Sequence, residues 1–106
     1  MKAKTDLLSE KEIITLLKNR DLRGIDALYY KYNEYIYSLI FEIVKIEALS
    51  ETILQDAFLK VWHTIDRYAC NKGRFLSWFA DMARRIAQRV LESKHRKLAT
   101  GYMVCS

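Results

Sequence analysis

A glutamine and an aspartate stand side by side, as Gln55 and Asp56, inside the largely apolar run LQDAFLKVW. An amide next to a carboxylate could take part in acid–base chemistry. The same pair could instead accept hydrogen bonds on the outer face of a helix whose other face is buried. These two roles require different neighbouring side chains, and the helices of the fold determine which side chains lie beside the doublet.

Cysteine and histidine, the other residues with reactive side chains, are sparse. Cys70 and Cys105 are the only cysteines, and neither a CxxC motif nor a Cys/His cluster accompanies them. One disulfide is possible in principle, but two reduced thiols are the more typical state in a chain of this kind. His63 and His95 have no ligand partner at a useful spacing, so we expect no metal site and no cofactor.

Charge is distributed unevenly along the chain. Residues 1–53 hold eight Lys/Arg against nine Asp/Glu, whereas residues 54–106 hold ten against four. The excess lies between Lys72 and Lys97 and indicates a surface for nucleic acid or another polyanion. A solvated basic helix face without a partner is the alternative that composition leaves open.

The hydrophobic pattern predicts an all-α fold. There is no proline, only three glycines, and the apolar residues recur at helical spacing almost throughout. At 106 residues the chain is expected to form one domain of about four helices. The helices are expected at about 10–19, 22–44, 47–65 and 74–97. The predicted parts are a short N-terminal helix in 1–20, the main helical domain in 21–98, and a linker or frayed tail in 99–106.

Each predicted helix has an apolar stripe. Ser9 and Glu12 form a capping-box pattern at the start of the first helix. In the second helix we expect Tyr29 and Tyr32 to be core or helix-interface residues rather than a stacking surface. The third helix has the stripe Ile53, Ala57, Phe58, Val61, Trp62 and Ile65, and the fourth has Phe75, Phe79, Met82, Ile86 and Val90.

Neither a membrane span nor a secretory signal is visible in the sequence. The apolar runs are only a few residues long, and the N-terminal residues MKAKTDLLSEKE lack the apolar centre of a signal peptide. The expected location is the cytoplasm.

A set of residues in the second half resembles a known family. Glu51, Gln55, Asp56, Phe58 and Trp62 match one helix of its pattern, and Gly73, Phe75 and Trp78 match the loop and helix that follow. Together with the aromatic-rich helix before them, over roughly residues 20 to 97, they resemble region 2 of the bacterial RNA polymerase sigma factors of the extracytoplasmic-function (ECF) type.

This resemblance assigns the doublet to a protein contact. In such sigma factors the polar face of this helix docks on the Arg-rich clamp helices of the largest subunit of core RNA polymerase. The resemblance implies that Glu51, Gln55 and Asp56 bind polymerase through charge-assisted hydrogen bonds. No nucleophile–base pair, metal set or phosphate loop can be assembled, so the chain is not expected to be an enzyme.

The resemblance also implies binding to the minus-ten element of promoter DNA, to direct transcription initiation. In the family a loop captures a base flipped out of the non-template strand, at a cost of a few kcal/mol of unstacking. The residues expected to contact DNA are Tyr68, Asn71, Lys72 and Arg74 around the loop, and Arg84, Arg85 and Arg89 on the last helix. Phe75 and Phe79 are expected in the core instead.

Several positions depart from the family pattern. Thr52 stands where an aspartate is usual, Cys70 where many members have proline, and Arg85 and Arg89 where asparagine and aspartate are usual. Arginine strengthens phosphate attraction but cannot accept a hydrogen bond from a base. A degenerate module that binds polymerase or an anti-sigma partner without reading a promoter is therefore one alternative. A generic basic helical adaptor is another.

Overall fold

The computed structural model describes residues 8–68 and 74–104, with side chains up to Ser93. Within these ranges every regular element is helical, which confirms the all-α prediction. The elements are α1 (Glu10–Lys18), α2 (Leu22–Val44), α3 (Glu47–Thr64), a 3₁₀ turn (Ile65–Arg67) and α4 (Phe75–Val104). No described helix is both long enough and apolar enough to cross a membrane.

The capping box at the start of α1 is present as predicted. The Glu12 backbone N–H donates to the Ser9 hydroxyl at 3.2 Å, and the Ser9 backbone N–H donates to the Glu12 carboxylate at 2.8 Å. Two of the free N–H groups at the helix start are thereby satisfied. These bonds fix the start of α1, and Ile13 and Leu17 are fully buried beneath it.

The turn from α1 to α2 places Arg20 in the left-handed region, at a φ of 59°. The Arg20 N–H donates to the Leu17 carbonyl at 3.1 Å and the Asp21 N–H to the Leu16 carbonyl at 2.9 Å, which is a Schellman motif. Asp21 then caps α2 by accepting from the Arg23 N–H. The chain reverses here, so α1 packs against the first turns of α2.

The core lies where α2 contacts both α3 and α4. The apolar stripes predicted for α3 and α4 supply its rings: Phe58 meets Phe79 edge-on at 5.1 Å, and Phe79 meets Phe75 at 6.1 Å. Phe75 and Phe79 are fully buried, as expected. Leu54, which the predicted stripe omitted, is also buried.

Two expectations about helix faces and ends need correction, one for Trp62 and one for the end of α4. Trp62 is only partly buried at the edge of the core, because it lies at the last turn of α3. Tyr29 agrees with its expected place at a helix interface: it is 46% exposed, and its ring packs on Phe58 of α3 at 5.2 Å. The backbone of α4 continues past Lys97 to Val104, so the helix extends into the segment that lacks apolar periodicity.

Candidate polymerase and nucleic-acid interfaces

The outer face of α3 presents the polar residues that the sequence singled out. Glu51, Gln55 and Asp56 are all exposed, while Ala57 and Val61 on the core-facing side of the helix are fully buried. The chain folds this way because apolar residues at helical spacing bury one face and leave the other in water. The side chains of Gln55 and Asp56 are therefore accessible from solvent.

Glu51 and Gln55 also line an open cleft of about 350 Å³ between α2 and α3. Tyr29, Tyr37 and Leu54 contribute its aromatic and apolar surface, while Asn33, Glu34, Glu51 and Gln55 contribute its polar groups. Asp56 is not among the lining residues, so the structure separates it from the other two members of the predicted cluster.

The cleft carries negative charge from Glu34 and Glu51. Loss of hydration, together with the nearby Glu47 and Glu51 carboxylates, raises the pKa of Tyr37. The Asn33 amide group donates to the Tyr29 carbonyl at 2.8 Å, which leaves its oxygen as an acceptor. Carboxylate and amide oxygens beside tyrosine rings suit a guanidinium group, which binds acceptors through its N–H fork and stacks on aromatic faces.

The α2 half of this cleft was missed by sequence reasoning, which treated the tyrosines of α2 as core or interface residues. Asn33 and Glu34 gave a signal, because they are polar residues in the middle of an aromatic-rich helix. Their partners on α3 are at least 17 residues away in sequence, and helical periodicity within one element says nothing of such pairings.

The second predicted interface surrounds the start of α4. Tyr68 was expected to face DNA, but its side chain is only 7% exposed. Its ring packs against Phe75 at 5.4 Å and Trp78 at 5.3 Å, and the Lys18 ammonium lies 5.9 Å from the ring centre. The expectation that Tyr68 faces outward is therefore corrected. Its buried ring, directly after the 3₁₀ turn, packs against the first turns of α4.

The arginines expected on the DNA side lie on the outer face of α4 or just before it. Arg74, Arg85 and Arg89 are exposed, and no ion pair is seen for them among the described residues. Arg84 is half-buried and bonds Asp81 at 3.3 Å. Asn71 and Lys72, the remaining members of the predicted DNA set, lie outside the described residues.

No candidate metal centre accompanies these two surfaces in the described part of the chain. It contains no group of three or more His, Cys, Asp or Glu side chains that could hold a metal ion. What the geometry offers is an acidic, tyrosine-lined cleft on one side and exposed arginines on another.

Comparison with known proteins identifies a family that matches most of the chain. Residues 28–97 match the family described as Sigma-70 region 2. Two similar proteins, each named ECF RNA polymerase sigma factor SigK, come from Mycobacterium sp. strains KMS and JLS. Each is 25% identical to this chain over 75 residues, which cover 71% of this chain.

The matched segment covers only 39% of the length of those relatives. No solved structure matches the chain. Because the family match spans all of α3 and most of both α2 and α4, well over half of the chain, the chain belongs to the Sigma-70 region 2 family.

Proposed function

We propose that this chain acts as region 2 of a sigma factor, which binds core RNA polymerase on one side and the minus-ten promoter element on the other. Family membership and the similarity to proteins named ECF sigma factors support the general role. The whole protein's activity belongs to this proposal too, because the chain spans much less than the length of those relatives. Such a factor works in the cytoplasm.

The cleft between α2 and α3 carries the polymerase half of the proposal. Clamp helices rich in arginine would place guanidinium groups against Glu34, Glu51 and Gln55, with Tyr29 and Tyr37 beneath them. The aromatic floor lowers the local exposure to water and strengthens each charged hydrogen bond. Asp56, on the same exposed face but outside the cleft, would contribute at the rim, where ion pairs are weaker.

The test is the affinity of the chain for isolated clamp helices. Replacing Glu51 and Gln55 by Ala should weaken binding on the order of tenfold, as expected for roughly 1.4 kcal/mol of lost hydrogen bonding. Asp56→Ala should have a smaller effect. Glu42→Ala is the matched control, since Glu42 is an exposed carboxylate of α2 outside the cleft.

An unchanged affinity in the Glu51/Gln55 double variant would exclude the cleft as the docking site. A larger loss from Asp56→Ala than from the double variant would move the docking site from the cleft to the outer rim of α3. Neither result would alter the family assignment.

The DNA half of the proposal rests on Arg74, Arg84, Arg85 and Arg89. Phosphate contacts from arginine position a strand, whereas base identity is read by groups that fit the base edges. Asn71 and Lys72 remain proposed contacts near the captured base. Tyr68 is buried, and we assign it the role of supporting the start of α4.

A degenerate module that binds polymerase without reading a promoter is the second candidate, favoured by one observation. Arg85 and Arg89 are exposed donors on α4, at positions where the family pattern has residues that can accept a hydrogen bond. Binding to a minus-ten single strand and to a scrambled strand separates the two candidates. A preference for the minus-ten strand supports promoter reading, and equal binding supports the degenerate module.

A further inference from the structure

Arg20 connects the α1–α2 turn to two consecutive elements that lie 42 and 46 residues further along the chain. Its guanidinium donates to the backbone carbonyl of Trp62 and, at 2.9 Å, to the Asp66 carboxylate. The same group lies 5.4 Å from the centre of the Trp62 ring. One side chain from the α1–α2 turn thus holds the last turn of α3 and the 3₁₀ turn that follows it.

The backbone conformation of Arg20 is one that arginine rarely adopts. The position after a helix end that adopts a left-handed conformation is usually glycine, because a Cβ is disfavoured there. Here the position is filled by arginine at a φ of 59°. A residue kept in a disfavoured conformation is reason to ask what its side chain does.

The contacts continue from the 3₁₀ turn to the DNA-facing end of α4. Tyr68 directly follows that turn, and its ring packs against both Phe75 and Trp78 in the first turns of α4. The ammonium of Lys18, from the end of α1, lies over the same Tyr68 ring, 5.9 Å from its centre. Arg74 is the residue immediately before α4.

We infer that Arg20 is a positioning residue for nucleic-acid binding: by joining Trp62 and Asp66 it sets where Tyr68 and the start of α4 lie. This inference rests on the proposed function. Arg20 lies before residue 28, where the family match begins, so the family pattern does not assign it this role. The ligand is a single strand of DNA, contacted by Arg74 and the exposed arginines of α4 rather than by Arg20 itself.

Two substitutions separate positioning from simple electrostatics. Arg20→Gln removes a positive charge, and Asp66→Asn removes a negative one. If charge alone mattered, the first would weaken binding to a polyanion and the second would strengthen it. Positioning requires both to weaken it, by about fivefold or more, the low end of couplings between distinct sites.

The chain offers a matched control for each change. Arg23 makes its ion pair with Asp21 two residues away, and within the described ranges its hydrogen bonds reach no other element, so Arg23→Gln should change strand affinity much less than Arg20→Gln. Asp81 pairs with Arg84 on α4, so Asp81→Asn should leave binding unchanged or make it stronger. Arg20→Lys keeps the charge but lacks the planar fork, and it should restore only part of the affinity.

The experiment measures affinity of the full chain for a minus-ten single strand at low salt, below the melting temperature of every variant. Affinity for isolated clamp helices, measured in parallel, should stay unchanged, since the cleft lies between other parts of α2 and α3. A joint loss of both affinities would show general unfolding and overturn the positioning role. Stronger strand binding by Asp66→Asn, or equal effects of Arg20→Gln and Arg23→Gln, would also overturn it. If the parent chain bound no strand, the proposed DNA function would fail, and this inference with it.

Discussion

Two aromatic residues that the sequence assigned to the same core differ in their surroundings. Phe79 is fully buried and contacts the rings of Phe58 and Phe75. Trp62 packs against the core with one side and is covered by the Arg20 guanidinium on another. The cost of removing each ring should follow how much of it is enclosed.

We expect Phe79→Ala to lower the free energy of unfolding by about 3–5 kcal/mol, as for other large-to-small core changes. Trp62→Ala should cost less, about 2 kcal/mol, because part of the ring is already in contact with water. Leu59→Ala, at a position that is 56% exposed, should change stability by less than about 0.5 kcal/mol. Urea denaturation of the three variants measures how much unfolding free energy each one loses. An equal loss in Trp62→Ala and Phe79→Ala would mean that the Trp62 ring is fully enclosed.

At the scale of single helices, α1 depends on its first turn. It has nine residues, and isolated helices of that length are marginal in water, so capping and packing must both contribute. The hydrogen bonds from the Ser9 backbone and side chain lower the pKa of Glu12 below its ordinary value of 4.5. The charged form of Glu12 is therefore favoured in the folded state.

This lowered pKa predicts a pH dependence. Because the folded-state pKa lies below the unfolded one, the contribution of Glu12 to stability is present above the unfolded pKa and is lost as pH falls through the folded pKa. Between about pH 5 and pH 3, the unfolding free energy of the parent should fall more steeply than that of Glu12→Gln, which has no titrating group at this position. Thermal melting of both proteins across this range is the measurement, and parallel curves would contradict the prediction.

The contact of α1 with α2 depends on the absence of a side chain at Gly24. A Cβ at this position would lie 3.0 Å from the Leu17 backbone nitrogen and 3.0 Å from the Leu16 Cβ. Backbone atoms cannot move aside as the end of a flexible side chain can. Gly24 therefore allows the two helices to approach closely.

Gly24→Ala tests this contact, because helix propensity predicts a gain in stability and the packing of α1 predicts a loss. In an unhindered helix interior the change would stabilise by up to about 1 kcal/mol. The close approach of α1 should outweigh that gain and leave the variant about 1–2 kcal/mol less stable than the parent. Asp26→Ala, at an exposed position of α2, is the control and should have little effect. A more stable Gly24→Ala protein would show that α1 can move away at no cost.

At the scale of the whole molecule, charge separates the two proposed interfaces. The cleft between α2 and α3 carries Glu34 and Glu51, while the outer face of α4 carries Arg84, Arg85 and Arg89. Asp81 and Glu92 lie on α4 as well and reduce its local excess of positive charge. One side is thus suited to a basic protein helix and the other to a nucleic-acid backbone.

The salt dependence of single-strand affinity should measure how many phosphates the arginines of α4 neutralise. With about four phosphates neutralised, the logarithm of single-strand affinity should fall with the logarithm of salt at a slope of roughly −3. Replacing Arg85 and Arg89 together by Ala should flatten that slope and weaken a minus-ten and a scrambled strand by similar factors, since phosphate contacts carry no base information. A change of strand preference at an unaltered slope would instead assign these arginines to base recognition.

The sequence by itself determined the features that depend on neighbours along the chain. The capping box at Ser9 and Glu12, the bounds of α2, the burial of Phe75 and Phe79 and the exposure of Gln55 all follow from capping chemistry and helical periodicity. These are local rules that operate over one to four residues. The family resemblance that the residues carried is confirmed by the match over residues 28–97.

The tertiary structure alone decided which helix faces meet. The cleft joins Asn33 and Glu34 to Glu51 and Gln55, and the Arg20 contacts join residues 42 and 46 positions apart. Tyr68 is likewise buried by Phe75 and Trp78 across a segment with no periodicity to follow. Such contacts depend on how the helices cross and on the turn at Arg20, which long-range packing sets and which no pattern within one helix encodes.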